Sequence, residues 1–165
     1  MRFFKQFSLA MLMLWSISIG VASAQGWTVS PGEGVGAISV GSTPAALEAF
    51  LKSTRKIGPA TKPTFVEYTE ALIIEFEANK AVTISLHKNS FPTRSGVVTW
   101  VPYRGAAIGT PWNTVVNQLQ GRKLSRKLPT AKGYPDEYYH AYPDLGIGFR
   151  VKGGVIDQVD VWELR

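Results

Sequence analysis

The segment YPDEYYHAYPDLGIGF, at residues 134–149, carries the densest group of side chains that could do chemistry. It places His140 four residues after Asp136 and four residues before Asp144. On a helix, that spacing would gather an imidazole and two carboxylates on one face, a set that divalent metals bind. Two prolines bracket the segment, however, and its tyrosines favour a strand over a helix. We therefore predict an extended segment that holds no metal.

The alternation of side chains along a strand decides which of these residues act together. Tyr138 and His140 lie two positions apart and share one face, whereas Tyr139 points to the other face. Aromatic side chains are frequent anchors of binding surfaces. The densest basic run, RKLSRK at residues 122–127, is typical of an exposed loop. Such a run can attract an anionic partner, such as an acidic protein face, a phosphate-bearing envelope polymer or lipid headgroups. We predict Tyr138, His140 and Arg126 as contact residues for a partner.

The chain offers few ways to build a catalytic site, because it has only two histidines and no cysteine. No G-x-S-x-G nucleophile motif occurs in the sequence to support a catalytic histidine. We predict no catalytic residue and no cofactor. The alternative that stays open is an enzyme or ligand carrier that acts on envelope polymers through Tyr139, His140 and Asp144.

Residues 1–24 have the pattern of a secretory signal peptide. Two basic residues precede an apolar run, which ends in the small residues ASA at 22–24. We expect cleavage there, so that the mature chain begins at Gln25 and lies in the periplasm or is secreted. Because the chain has no cysteine, we expect no disulfide, no lipid on a cysteine and no stable membrane anchor. No nucleic-acid-binding motif occurs, so we expect no nucleic-acid partner.

Two stretches of the remaining chain follow the same order of residue types. Residues 36–53 and 105–121 each run from small apolar residues through a glycine to a Ser/Thr-Pro pair, and then to apolar residues at helical spacing. Trp112 follows the second proline, and we assign it to the core. The predicted caps and first helical residues are Thr43 with Pro44, and Thr110 with Pro111.

Each predicted helix is followed by a tyrosine and two strands. Residues 67–86 and 141–161 are rich in Val, Ile and Phe, and a short polar or glycine turn interrupts each of them, which is typical of a β-hairpin. The predicted turns are Asn79-Lys80 and Lys152-Gly153-Gly154. Alignment of the two stretches matches Ile74 and Phe76 with Ile147 and Phe149, and Ile84 and Leu86 with Val159 and Val161.

This repetition predicts two tandem units, at residues 25–92 and 93–165. Each unit would contain one helix and an antiparallel hairpin. The predicted fold class is therefore α+β, in two layers, with the helices on one face of an antiparallel sheet. A further strand is predicted at residues 97–101. The residues from Asp136 to Ala141 have no counterpart in the first unit, and the predicted site lies there.

The order of glycine, Ser/Thr-Pro, amphipathic helix, tyrosine and hairpin resembles the β-lactamase-inhibitor-like superfamily, which includes outer-membrane assembly lipoproteins of the SmpA/OmlA type. In that superfamily the activity is protein binding across the sheet face, without catalytic residues, and the resemblance implies the same for this chain. The absence of cysteine removes the anchor of the lipoproteins and the disulfides of the secreted inhibitors. The residues that carry the resemblance are Ile38–Leu51 with Tyr68–Leu86, and Ile108–Gly121 with Tyr142–Val161.

These patterns together predict an exported binding protein without enzyme activity. We expect it to recognise another macromolecule of the envelope or the exterior, most simply a protein, through an open sheet face. A structural accessory protein of the cell envelope is a further alternative, beside the enzyme or carrier described above.

Overall fold

The computed structural model of the chain describes residues 27–52, 55–57 and 64–164. The predicted signal peptide lies outside these residues. The described chain forms thirteen β-strands in two sheets, two short α-helices and one 3-10 turn. Among these elements, no helix has the length and apolar character that a bilayer crossing requires.

The elements follow one another as strands with few helical interruptions. The helices are α1 (Pro44–Glu48) and α2 (Trp112–Val115), and the 3-10 turn is Tyr103–Gly105. The strands are β1 (Trp27–Ser30), β2 (Gly34–Val35), β3 (Ile38–Ser39), β4 (Arg55–Ile57), β5 (Thr64–Thr69), β6 (Leu72–Glu77), β7 (Lys80–Leu86), β8 (Ser90–Thr93), β9 (Gly96–Val101), β10 (Leu124–Lys127), β11 (Glu137–Tyr142), β12 (Ile147–Lys152) and β13 (Val155–Trp162).

The larger sheet contains eight antiparallel strands in the order β10-β11-β12-β13-β7-β6-β5-β4. We call β4–β7 the first half of this sheet and β10–β13 its second half. Each half is a meander of four consecutive strands, and the halves meet where β13 pairs with β7. The strand order is therefore symmetric about that central pair.

The residue pairing repeats this symmetry. At the centre Ser85 pairs with Asp160, and the residues on either side pair in the same antiparallel register. A bulge lies between Glu75 and Phe76 in the first half and between Arg150 and Val151 in the second. A bulge adds a residue to one strand and increases the local twist, so the two halves bend at corresponding places.

One predicted match between the halves is displaced by two residues. Ile74 pairs with Ile84 as Phe149 pairs with Val159, so the counterpart of Phe149 is Ile74 and not Phe76. A shift of two residues keeps every side chain on the same face of a strand. The apolar pattern alone therefore could not separate the two alignments.

The hairpin turns contain two residues each and sit at corresponding places. Ala78 and Asn79 have φ of 48° and 65°, and Gly153 and Gly154 have φ of 57° and 81°. Positive φ at both central positions is the geometry that fits the twist of a two-residue hairpin. The first turn was predicted one residue too late, and the second was predicted with Lys152, which belongs to β12.

Each half also holds its helix entry in the same way. A glycine and the Ser or Thr after it exchange two backbone hydrogen bonds with the second strand of the hairpin. Gly41 donates to Ala81, which donates to Ser42, at 2.7 and 2.8 Å; Gly109 donates to Ile156, which donates to Thr110, at 2.7 and 3.0 Å.

The predicted α+β fold class is wrong, because the described chain is mostly β-strand. The helices have five and four residues, so they form no layer of their own. Isolated helices shorter than about 12–15 residues are marginal, and the β-branched Thr114, Val115 and Val116 have low helix propensity. Leu51 and Leu119, which the helical spacing placed on the helices, reach the core from the turns beyond them.

Only one of the two predicted caps forms. The Thr43 hydroxyl accepts a hydrogen bond from the Ala46 backbone N–H at 3.3 Å, which confirms the first cap. At the second helix, Pro111 occupies the cap position with an extended backbone and pairs with Val155. The second cap prediction, Thr110, is wrong because this pairing moves the helix start one residue along the chain.

The smaller sheet has five strands in the order β3-β2-β1-β9-β8, with β1 and β9 parallel and the other pairs antiparallel. The strand predicted at residues 97–101 is confirmed as part of β9. β8 contains residues on both sides of the predicted boundary between units at residues 92 and 93. The division into two units stays a prediction.

The large sheet has one face in the core and one polar face. Alternate residues of its central strands, such as Ile74 and Phe149, are buried on the inner face. Leu47 of α1 and Val115 of α2 belong to the same continuous apolar cluster, which also includes residues of the smaller sheet. The outer face carries the intervening residues, such as Arg150. Any site between a helix and the sheet therefore lies on the inner face.

Candidate binding site

A pocket of about 430 Å³ opens between the start of α2 and the hairpin of β12 and β13, and we call it the Trp112 pocket. Its walls are almost entirely apolar. Ligand sites are usually concave and apolar, with few polar groups. The lining residues are Trp112, Asp136, Tyr138, His140, Val151, Gly153 and Gly154.

Backbone hydrogen bonds hold the two sides of this pocket together. The Trp112 N–H donates to the Gly154 carbonyl at 2.9 Å, and Pro111 forms a β-bridge with Val155. The start of α2 is therefore attached to the turn between β12 and β13. Because these contacts fix the backbone at Trp112, they also fix the position beside β11 from which its side chain extends.

Three rings line the pocket with parallel planes. Trp112 stacks on His140, with centroids 4.4 Å apart and 6° between the planes. Tyr138 lies 6.1 Å from His140 with 3° between the planes, as expected for neighbours on one face of a strand. Lys127 Nζ lies 5.8 Å from the Tyr138 ring centroid. The rings form one series that runs from α2 to His140 and then along β11 to Tyr138.

His140 sits at the centre of this series and is only 8% exposed. Its Nδ1 lies 2.8 Å from the Ser125 Oγ. Burial, together with the positive charge of Lys123, lowers the pKa of His140 below its ordinary value. The neutral form of the imidazole therefore predominates at pH 7, and a neutral ring costs far less to bury against an apolar wall than a charged one.

Charged groups stand at the rim of the pocket. Lys127 Nζ lies 2.8 Å from Asp136 Oδ1, and both side chains are more than half exposed. The Asp136 hydrogen bond and charge raise the pKa of Lys127. This pair is solvated and contributes little to stability, but it borders the apolar walls with polar groups.

The first half of the sheet contains a pocket at the equivalent place, which we call the first-half pocket. Its volume is about 200 Å³. The strand pairing makes Thr64 the counterpart of Tyr138 and Val66 the counterpart of His140. Ala45 follows its proline as Trp112 follows Pro111. The lining residues are Pro44, Glu48, Thr64, Val66, Phe76, Ala78 and Asn79.

Of the three predicted contact residues, the structure brings only Tyr138 and His140 together. Arg126 pairs with Tyr139 on the neighbouring strand, so both side chains point to the outer face. Ser125 and Lys127 share the face of the pocket instead. The basic run was predicted as a loop, but residues 124–127 form β10. Their side chains therefore alternate between the two faces of the sheet.

Sequence reasoning assigned Trp112 to the core and did not recognise it as a pocket residue. Its side chain is half-buried and packs on Phe149 as well as on His140. A tryptophan in a helical pattern looks the same whether it fills a core or lines a pocket. The comparison with Ala45, at the equivalent place, is the signal that could have distinguished the two.

The prediction that residues 136–141 have no counterpart in the first unit was wrong as well. β11 pairs with β12 as β5 pairs with β6, so this segment corresponds to β5 of the first half. β5 carries Thr64 and Val66 where β11 carries Tyr138 and His140. The two segments share the aromatic position of Phe65 and Tyr139 but differ at the two pocket positions, which hid the relationship.

The alternative catalytic and metal-binding sets are dispersed. Asp144 lies 3.5 Å from Arg122, and Asp136 pairs with Lys127. Tyr139 points to the outer face, away from His140. Within the ranges that the structure describes, no cluster of three or more His, Cys, Asp or Glu residues is arranged to hold a metal ion.

The outer face of the second half carries a separate polar network. Tyr139 donates a hydrogen bond to Asp160 Oδ2 at 2.8 Å, and Gln158 donates to Asp160 Oδ1 at 2.7 Å. Asp160 is 5% exposed, and these donors satisfy one lone pair on each of its oxygens. Burial and the Asp160 charge raise the pKa of Tyr139. Gly148 leaves the space that the Tyr139 ring occupies.

A larger hollow of about 480 Å³ lies against the smaller sheet beside Trp27. Most of its lining residues are small, such as Gly34, Gly36 and Ala37, and Glu33 is its only charged residue. Trp27 is held at the back by Phe50 and Phe91, with ring centroids 5.9 and 5.4 Å away. This hollow lacks the convergent side chains of the Trp112 pocket.

Comparisons with protein-family models, with curated proteins and with solved structures found no match to this chain.

Proposed function

We propose that this chain is an exported, non-enzymatic binding protein that holds an aromatic side chain of a partner protein in the Trp112 pocket. The observation that carries this proposal is the series of parallel rings from Trp112 through His140 to Tyr138 along an apolar wall. The equivalent place in the first half has Ala45, Val66 and Thr64 instead.

An aromatic occupant follows from the chemistry of the walls. Ring pairs contribute about 0.5–1.5 kcal/mol beyond the burial of their area, so a pocket lined by rings favours a ring over an aliphatic chain of similar size. Tyr138 is 37% exposed and Val155 beside the turn is 39% exposed. These two residues extend the apolar surface outward from the pocket, where a partner would cover them.

The surroundings of His140 support binding over catalysis. Its ring is stacked on Trp112 and parallel to Tyr138, and the only hydrogen bond found for it in the described chain is to Ser125. A general base in a triad is oriented by a carboxylate, and the nearby acidic residues are paired with Lys127 and Arg122.

A direct test titrates the protein with N-acetyl-L-phenylalaninamide and follows the Trp112 indole N–H and the His140 ring by NMR. We expect saturable shifts at both residues, weaker shifts with N-acetyl-L-leucinamide and none with N-acetyl-L-alaninamide. The matched control replaces the pocket residues with those of the first half, as Trp112→Ala, Tyr138→Thr and His140→Val together. Equal shifts for all three probes, or shifts elsewhere that survive in the control variant, would contradict the proposal.

A second candidate function rests on the 2.8 Å distance between Ser125 Oγ and His140 Nδ1. A hydroxyl beside an imidazole is the arrangement that activates a serine nucleophile. Acetylation of Ser125 by p-nitrophenyl acetate, detected by mass spectrometry and lost in Ser125→Ala, would support a hydrolase. An unmodified Ser125 after prolonged exposure to the ester would leave binding as the function.

The compartment in this proposal comes from the predicted signal peptide at residues 1–24. Fractionation of cells that express the chain with a C-terminal tag tests it. We expect the tagged protein in the periplasm or the medium, shortened by the mass of those residues. Full-length protein in the cytosol would contradict an exported function.

A further inference from the structure

We propose that the outer edge of β10 binds an acidic, extended segment of the partner by strand addition, with one aromatic residue of that segment in the Trp112 pocket. This inference rests on the proposed function for the occupant of the pocket. The edge itself, its charge and its distance from the pocket are independent observations.

The hydrogen-bond pattern shows which backbone groups of β10 point outward. Leu128 N–H donates to the Glu137 carbonyl at 2.8 Å, in the same register that pairs Arg126 with Tyr139. In an antiparallel pair, hydrogen-bonded and non-bonded positions alternate. The N–H and C=O groups of Ser125 and Lys127 therefore face away from β11. Over the described ranges, β10 pairs with no strand other than β11.

The edge is regular enough to accept a strand. All four residues of β10 are exposed, none of them is proline, and the pairing with β11 has no bulge. Short edges, prolines and bulges are the features that protect edge strands from pairing. β10 has only the first of these, since it contains four residues. Addition of an extended segment to such an edge is a common mode of peptide recognition.

Charge selects the kind of segment. The run from Arg122 to Lys127 contains four basic side chains, all exposed. Arg122 and Lys127 have carboxylate partners, whereas Lys123 and Arg126 form no ion pair with any residue in the described ranges. A second copy of this chain would bring the same positive charges opposite one another. An acidic segment removes that repulsion, and its carboxylates can pair with Arg126.

The β10 edge and the Trp112 pocket are adjacent on the same face of the sheet. Ser125 stands opposite His140, and Lys127 stands opposite Tyr138, on the face of the pocket. A strand added outside β10 would lie about 10 Å from β11, since neighbouring strands are about 4.8 Å apart. Ser125 is short, so a long ring side chain of the added strand can pass over it toward His140. The acidic residues would then face Arg126 on the outer side, because strand side chains alternate.

The test uses the full mature chain and a blocked peptide of sequence EVDFEVD, with affinity measured by calorimetry. Two further peptides carry N-methyl groups on one or the other set of alternate amides. Strand addition predicts that one of them loses at least tenfold in affinity while the other does not, because only alternate amides point to one edge. Equal affinity for all three peptides, or equal losses for both methylated ones, would overturn strand addition.

Three variants separate this inference from the proposed function. Arg126→Glu should weaken peptide binding at least tenfold, whereas the matched charge reversal Lys132→Glu in the loop after β10 should not. A peptide with alanine in place of phenylalanine tests the pocket alone. Loss with alanine but no effect of N-methylation would leave the pocket and remove the edge. Loss with N-methylation but no effect of alanine would leave the edge and remove the pocket.

A concentration-dependent dimer that excludes the peptide would instead identify a second copy as the occupant and overturn the acidic segment.

Discussion

The Trp112 pocket and the first-half pocket lie at equivalent places in the two halves of the large sheet, but only the Trp112 pocket is lined by a series of parallel rings in the described chain. Both are formed by a residue at a helix entry, two alternate residues of a strand and a two-residue turn. The entry, the bulge and the turn are fixed by backbone hydrogen bonds and backbone geometry in both halves. The main chain therefore sets the shape, and a few side chains decide whether that shape can recognise a ligand.

The outer face repeats this contrast. Tyr139 and Gly148 in the second half correspond to Phe65 and Ile73 in the first. The small residue at 148 lets the Tyr139 ring cross the sheet to Asp160, whereas the first half has the larger Ile73 at the corresponding position. The second half thus has stacked rings on its inner face and a hydrogen-bond network on its outer face, at positions where the first half has neither in the described residues.

The largest expected effect removes the space over Gly148. A Cβ at this residue would lie 2.8 Å from Tyr139 Cζ and 2.9 Å from Trp162 Cζ3. Both rings are rigid, and overpacking of this kind costs about 1–3 kcal/mol. We expect Gly148→Ala to lower the free energy of unfolding by about 2 kcal/mol in urea denaturation. In a Tyr139→Ala background the same Gly148→Ala change should cost less, because one of the two rings that it meets is gone. A neutral single variant would show that the rings move aside.

The next effect concerns the buried carboxylate. Tyr139→Phe deletes the donor to Asp160 Oδ2 and leaves that oxygen buried. An unsatisfied buried group costs about 1–3 kcal/mol, and we expect a loss of about 1.5 kcal/mol in the free energy of unfolding. Tyr138→Phe is the matched control on the same strand, because its exposed hydroxyl should contribute less than about 0.5 kcal/mol. Equal losses in the two variants would contradict the role of the Asp160 network.

A gain in stability is expected in the first half. The Tyr68 hydroxyl is buried without a hydrogen-bond partner in the described chain, and burial together with Glu48 raises the pKa of Tyr68 to about 12. Tyr68→Phe removes the unpaired group and should raise the free energy of unfolding by about 1 kcal/mol. Tyr142→Phe, which changes a buried tyrosine of the second half, provides the comparison. A loss in Tyr68→Phe would indicate that the hydroxyl has a partner in solution.

A smaller gain is expected at the first hairpin turn. Ala78 has a φ of 48°, where its counterpart is Gly153. A residue with a Cβ is strained in this region, so Ala78→Gly should stabilise by about 0.5–1 kcal/mol. Gly153→Ala should destabilise by a similar amount, which thermal melting of the pair would show. Changes of the same sign in both variants would contradict the equivalence of the turns.

The smallest effect is the pH dependence that His140 introduces. Because its pKa in the folded chain is below the ordinary value of 6.5, the unfolded chain binds the proton more readily. This contribution to stability is complete above pH of about 6.5 and is lost as the pH falls through the folded pKa. His140→Val, the residue of the first half, should reduce the difference in unfolding free energy between pH 7.5 and 5.5. Burial and the Arg150 charge also lower the pKa of His87. Because His87 is present in the original chain and in His140→Val, its contribution to the pH dependence cancels in the comparison.

The parts of the fold that were predicted correctly depend on interactions between neighbours in sequence. Thr43 caps α1 with an atom three residues away, and the Val- and Ile-rich hairpins follow from alternation over a few residues. The predicted helices were too long. Apolar residues at helical spacing can also reach the core from a turn that follows a short helix, as Leu51 and Leu119 do. The choice between a longer helix and such a turn is made by the tertiary packing.

The site was predicted in part for a similar reason. Alternation placed Tyr138 and His140 on one face, as the structure does. It could not place Arg126, because the basic run was not recognised as a strand and its face depends on pairing with β11. Trp112 comes to His140 only through the attachment of α2 to the turn at Gly154, which joins residues distant in sequence.

The position of β13 has a consequence for how this protein is made. β13 follows every other described strand in the chain, yet it lies at the centre of the large sheet between β12 and β7. Until it is in place, β7 and β12 each expose an apolar strand edge, and edges of that kind associate with other chains. The two halves can therefore close into one sheet only after β13 has been synthesised. A chaperone that shields β7 and β12 would be most useful in that interval.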